Sequence, residues 1–206
     1  MRPRIKICGL TRLEDAALAA SLGAFALGFV FAPSKRQVDP SRVRAITAAL
    51  PPNVSKVGVF GPDARASVAR IAEECGLDTV QLHGTPDPEL CDSLRGRFTV
   101  VQAIGVDGDR QALQSRVTAI APHVDRLLLD TASTRLLGGT GRTFEWEVLA
   151  QLDCRVPLIV AGGLDATNVG ELVRRHAPWG VDVASGVEAT PGIKDAERLR
   201  AFFAAL

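Results

Sequence analysis

Two residues at the ends of apolar runs have the means to move protons. Cys8 closes the run IKIC ahead of Gly9, and Asp130 closes LLLD ahead of Thr131. A thiolate takes a proton and a carboxylic acid gives one, so such a pair reaching a ligand from different sides suits general acid–base chemistry. Each residue also has a plainer reading. Free cysteine is among the most buried residue types, and Asp130 could cap the loop that follows it. Cys75, Cys91 and Cys154 fall on helices or loops and keep that plainer reading. A carboxylate after three leucines must be either solvated or paired, and partial burial would raise its proton affinity towards what an acid catalyst needs.

Small residues follow two further runs, in AGGL (161–164) and ASGVE (184–188). Gly162, Gly163, Ser185 and Gly186 leave backbone N–H groups uncovered where an anion can approach, and a following helix N-terminus adds partial positive charge. Either stretch alone reads as a tight turn. The two together imply a phosphorylated small molecule. Arg36, in APSKRQ, carries a planar fork that matches a carboxylate, although a lone loop arginine more often faces solvent. Gln81 and His83 end the run TVQLH as candidate binding residues, with His83 equally suited to a structural imidazole. Asp182, inside GVDVAS, points either into the same mouth or outward to a helix. Because burial demands a partner, lining the mouth is the favoured reading.

Eight elements must position these groups. Short β-rich runs recur at 4–8, 25–31, 54–60, 79–83, 98–104, 125–130, 156–161 and 180–185. Between them lie helical stretches such as LEDAALAASLG, ARASVARIAEECG and ATNVGELVRRHA, several ending near glycine. Runs with little alternation are buried on both faces, as in a parallel sheet covered by helices. Eight such units predict a single-domain (β/α)8 TIM barrel over residues 1–206, whose loops converge on one mouth at the C-terminal strand ends. An open doubly wound sheet is the alternative, because periodicity cannot show that the first and last strands pair. The glycine-dense LLGGTGR (136–142) is either a lid or simply a long loop. Phe144 and Trp146 read as packing for a sixth helix.

Composition narrows the partners. With 24 basic and 23 acidic residues the net charge is +1, which offers no footprint for nucleic acid or an acidic membrane surface. The four cysteines are far apart and form no metal-binding pair, so no metal site is expected and a reducing, cytoplasmic setting fits. The first apolar stretch is broken by Lys6 and is too short for a secretion signal or a membrane span. Amphipathic outer helices are the same in a monomer and a homodimer, so either state is open.

KICGLT, GFVFAPSKR, VQLHG, LLLDT with GGTGRTFEW, AGGL and DVASGVE, in that order, resemble the phosphoribosylanthranilate isomerase family of tryptophan biosynthesis over nearly the whole chain. The resemblance implies a (β/α)8 barrel that uses neither metal nor organic cofactor. It implies an Amadori rearrangement with Cys8 as general base and Asp130 as general acid. It also places the anthranilate carboxylate on Arg36 and the phosphate on Gly162, Gly163, Ser185 and Gly186. The sequence departs from the family pattern at Gly61–Pro62, where a more polar residue commonly follows the phenylalanine, and at Glu145, where aspartate is usual. An isomerase of the histidine pathway, which does the same rearrangement, typically has aspartate where this chain has Cys8. A catalytically silent phosphate-binding barrel is the rival from another class.

Overall fold

The computed structural model describes residues 2–131 and 145–206. The eight apolar runs form eight parallel strands, β1 (Arg4–Ile7), β2 (Ala26–Val30), β3 (Ser55–Phe60), β4 (Thr79–Leu82), β5 (Thr99–Val106), β6 (Arg126–Thr131), β7 (Leu158–Val160) and β8 (Gly180–Val183). They close into a barrel in sequential order. The sealing pair is β1 with β8, with Arg4 opposite Gly180 and Lys6 opposite Asp182. The chain is therefore a (β/α)8 barrel and not an open sheet.

Helices α1 (Leu13–Ser21), α2 (Pro40–Ala48), α3 (Val68–Glu74), α4 (Pro88–Leu94), α5 (Arg110–Ile120), α6 (Val169–His176) and α7 (Ala196–Ala204) alternate with the strands. Asp87, Asp109 and Asp195 cap α4, α5 and α7 by accepting from backbone N–H groups of the first turn. Between β6 and β7 the described residues hold a 3₁₀ segment, Trp146–Gln151, where the sequence pattern predicts a sixth helix. Trp146 packs against the core there, Glu145 precedes the segment, and the 136–142 loop and Phe144 lie outside the described residues. A small antiparallel hairpin, β9 (Glu188–Thr190) with β10 (Ile193–Lys194), sits beyond β8 and has no counterpart in the predicted pattern. At the departure after β3, Gly61 leads into a 3₁₀ turn, Pro62–Ala64, and Pro62 packs beside Gly84 of the next loop.

Strand alternation divides the core in two. Leu127 and Leu129 join the layer between strands and helices, while Leu128 turns inward to Val101, Ala103, Ile159 and Ala161. Trp179 packs against that inner cluster from the N-terminal end, with the Arg4 and Arg126 guanidinium groups 4.5 and 4.7 Å from its ring centre. No helix among the described residues is long and apolar enough to cross a membrane.

Leu128 is 1% exposed and packed among Val101, Ala103, Ile159 and Ala161, so its truncation leaves a cavity. Leu128→Ala is expected to cost about 2–5 kcal/mol in urea unfolding with an unchanged denaturant slope. A loss below about 1 kcal/mol would show that the barrel interior is not close-packed there.

Candidate active site

The barrel opens at the C-terminal strand ends into a cavity. Cys8, Arg36, Gln81, His83, Asp130, Gly162, Gly163, Asp182 and Ser185 all lie on its wall. Gly186 does not. It sits in the 3₁₀ turn Ser185–Val187, packed against the Leu164 carbonyl, so its small size serves the contact between the seventh and eighth loops. Around the barrel, β7 and β8 separate Asp130 on β6 from Cys8 at the end of β1. The glycine loops thus stand between the two proton-bearing groups.

Gly162 shows why a side chain is excluded from this rim. Its φ is +89°, and a Cβ would collide with Thr131 and lie 2.8 Å from Asp130 Oδ1. The seventh loop is therefore pressed onto the Asp130 carboxyl and helps to dry it. Burial, with Asp182 adding to it, pushes Asp130 up to about 6, against the Thr131 N–H and Lys6. Cys8 is 8% exposed, and burial also pushes its thiol up. Lys6 opposes that most strongly, Asp182 reinforces it and Lys194 works against it.

His83 is brought down to about 4 by burial and by Lys6, so the ring is neutral at physiological pH. Its Nε2 lies 2.7 Å from Gln81 Nε2. With the amide donating, that ring nitrogen accepts and the ring proton sits on Nδ1. Gln81 Oε1 and Asp182 Oδ1 are buried and have no hydrogen-bond partner among the described residues. Both residues line the cavity, and each carries one acceptor that no described residue satisfies.

Arg36 is held by a partner that its motif alone did not reveal. Its Nε donates to Glu188 Oε1 at 2.8 Å and its Nη2 to Oε2 at 2.7 Å. Burial acts to raise Glu188, yet Arg36 and Lys194 keep it below the usual carboxylate range. Lys194 spends its three protons on the carbonyls of Cys8 (2.6 Å) and Ala184 (3.1 Å) and on Glu188 Oε1 (3.0 Å). The hairpin β9–β10 exists to deliver this pair under the mouth. Lys6, donating to Asp182 Oδ2 at 3.0 Å, is the other residue that sequence patterning left aside. The signal for it was present: in IKIC, alternation puts Lys6 and Cys8 on the same face of β1.

A family model for N-(5'-phosphoribosyl)anthranilate isomerase matches residues 5–205. The chain belongs to that family. It is 46% identical over 200 residues to the isomerase of Geobacter sulfurreducens, covering 97% of this chain and 96% of the relative. With the isomerase of Pelobacter propionicus it shares 43% over 200 residues, 97% and 93% of the two chains. The crystal structure of the Thermus thermophilus phosphoribosyl anthranilate isomerase superposes with a TM-score of 0.86 at 40% identity, covering 98% and 97%. A further isomerase structure, 35% identical with a TM-score of 0.82 over 98% and 97%, is a complex with reduced 1-(o-carboxyphenylamino)-1-deoxyribulose 5-phosphate. Another, from Thermotoga maritima, consists of monomers generated from a dimeric enzyme; it is 34% identical with a TM-score of 0.82, covering 99% and 98%.

Folded Asp130 keeps its proton up to about 6, against 3.8 for the free side chain. The folded state therefore binds more protons than the unfolded one across that window, so stability falls as pH rises through it and stays reduced above. Asp130→Asn is expected to stabilise the fold by about 1–3 kcal/mol at pH 8, with the gain shrinking towards pH 4. Urea unfolding at both pH values checks this, and equal gains at the two would contradict it.

Proposed function

We propose that this chain, acting as one barrel over residues 1–206, converts N-(5-phosphoribosyl)anthranilate to 1-(2-carboxyphenylamino)-1-deoxyribulose 5-phosphate in tryptophan biosynthesis. The observation that carries the reading is the shared wall, with Cys8 and Asp130 on one cavity and the glycine loops of β7 and β8 between them. A phosphate seated on Gly162, Gly163 and Ser185 leaves the sugar between thiol and carboxyl. Arg36 keeps its Nη1 side for the anthranilate carboxylate, because Glu188 occupies the Nε–Nη2 edge. Gln81, His83 and Asp182 line the sugar's path, and the unpaired acceptors of Gln81 and Asp182 suit its hydroxyls.

Asp130, in its protonated form, gives a proton to the ribose ring oxygen, and the C1–O bond breaks to leave a protonated Schiff base. That cation acidifies C2–H, which the Cys8 thiolate removes. The enolamine then takes a proton at C1 and releases its C2 hydroxyl proton to solvent, becoming the ketone. C2 is oxidised from alcohol to ketone as C1 is reduced from imine to amine, so the electrons balance within the substrate and no external oxidant is called for. The partner is a phosphorylated small molecule in the cytoplasm, met by a monomer or homodimer, with neither nucleic acid nor membrane involved.

Cys8→Ser and Asp130→Asn are each expected to lower kcat by about 10²–10⁴-fold with smaller changes in KM, and Arg36→Met to act mainly on KM. Loss of anthranilate-conjugate fluorescence follows the reaction. Near-normal turnover in both acid–base variants would refute their assigned roles, and no turnover in the unaltered chain would favour the silent phosphate-binding barrel.

Asp130 ionises near 6 and the thiol above its ordinary value, so the reactive combination of neutral acid and thiolate is a minor form at every pH. The profile of kcat/KM is still bell-shaped: its acidic limb falls near pH 6 and its alkaline limb at the thiol. A single limb, or an acidic limb absent in wild type, would contradict the paired roles.

A further inference from the structure

We propose that Lys6 is a positioning residue for the reaction, its buried ammonium enlarging the reactive thiolate share of Cys8 from beneath the cavity floor. The proposal rests on Cys8 being the base. Lys6 is 4% exposed and does not reach the cavity wall; it lines a smaller void below, with Gln81 and Trp179. It therefore cannot act on substrate directly. Its route to the chemistry is the sulfur two residues along the same strand face, with whose charge its ammonium interacts favourably.

Three features aim it. The register of β1 on β8 sets Lys6 directly opposite Asp182, whose Oδ2 takes one ammonium proton at 3.0 Å. An ammonium has three protons, which leaves two for other acceptors. On the other neighbouring strand, Gly28 leaves the space in which the two groups converge: a Cβ there would lie 2.9 Å from Cys8 Sγ and 3.2 Å from Lys6 Nζ. Any larger residue would wedge the sulfur and the ammonium apart.

Other charges face Cys8, and none substitutes for Lys6. Lys194 from β10 has all three protons committed to two carbonyls and Glu188. Arg36, from the loop after β2, gives its Nε and Nη2 to Glu188 on β9. His83 on the β4 side is neutral, Asp130 stands across the cavity on β6, and Asp182 on β8 opposes thiolate formation. Burial acts to lower Lys6, but Asp182 and Cys8 hold it above its ordinary value, so it remains a cation throughout the working range. Lys6 is also the largest influence favouring thiolate, ahead of the opposing effect of Asp182.

The test reads the sulfur itself. Iodoacetamide alkylation of the Cys8 peptide, quantified by mass spectrometry from pH 6 to 11, gives the thiolate midpoint without reference to turnover. Lys6→Met is expected to raise that midpoint by about one pH unit and to lower kcat about tenfold with little change in KM. The alkaline limb of the kcat/KM profile should move up with it. Lys6→Met/Asp182→Asn removes the pair without stranding a buried charge, and its alkylation midpoint should also exceed the wild-type value. Midpoints at or below wild type in both variants would overturn the proposal. A raised midpoint with unchanged kcat would instead overturn the assignment of Cys8 as base on which it rests.

Discussion

Closure of the barrel along β1 and β8 is the constraint on which the rest of this molecule depends. That seam places Ile7 beside Val183 and Lys6 beside Asp182, and the next residue of β1 is Cys8. A slip of one residue would turn Lys6 outward into the helix layer and leave Asp182 as a lone buried charge. Breaking such a pair by removing one member typically costs about 3–5 kcal/mol, although the intact pair adds little net stability. Its contribution is specificity: it fixes register at the seam that no loop or hairpin enforces.

The same burial that closes the mouth also sets its chemistry, with opposite effects on the two proton-bearing groups. Drying Asp130 keeps a proton on it and so favours an acid; drying Cys8 keeps a proton there too, which works against a base. The site offsets part of this conflict with cations grouped about the sulfur. Lys6 and Lys194 approach beneath and beside the sulfur, whereas Asp130 has a backbone N–H and the more distant Lys6. The asymmetry between acid and base thus comes from where the ammonium groups sit.

The sequence made the barrel readable for a physical reason: strands buried on both faces appear as unbroken apolar runs, and all eight are present in order. Closure was not readable, because the pairing of β1 with β8 is set by geometry between the two ends of the chain. The cavity-wall residues were legible from their position at strand ends, Cys8 and Asp130 among them. The Glu188–Arg36 pair, 152 residues apart, and the Lys194 beneath it were not, since the β9–β10 hairpin that brings them together has strands too short to leave a periodic trace. Gly186 looked like Gly163 in sequence, yet one packs against a neighbouring loop and the other faces the cavity. The segment 146–151 carries apolar residues at helical spacing but adopts a 3₁₀ turn, a difference that local pattern does not encode.

Charge accounting at the mouth shows why these buried cations suit an anionic ligand. Arg36, Lys194 and Lys6 face Glu188 and Asp182, so three cations meet two carboxylates before Asp130 or Cys8 ionises. The excess positive charge suits the proposed substrate, which carries both phosphate and carboxylate. Once seated, however, those anions raise the proton affinity of every nearby group. For Asp130 that is a gain, because more of it is in the acid form. For Cys8 it is a loss, and screening by solvent is weak around a buried sulfur. An ammonium fixed below the sulfur, on the side away from the cavity, is the arrangement that offsets the loss without neutralising the anions of the proposed substrate.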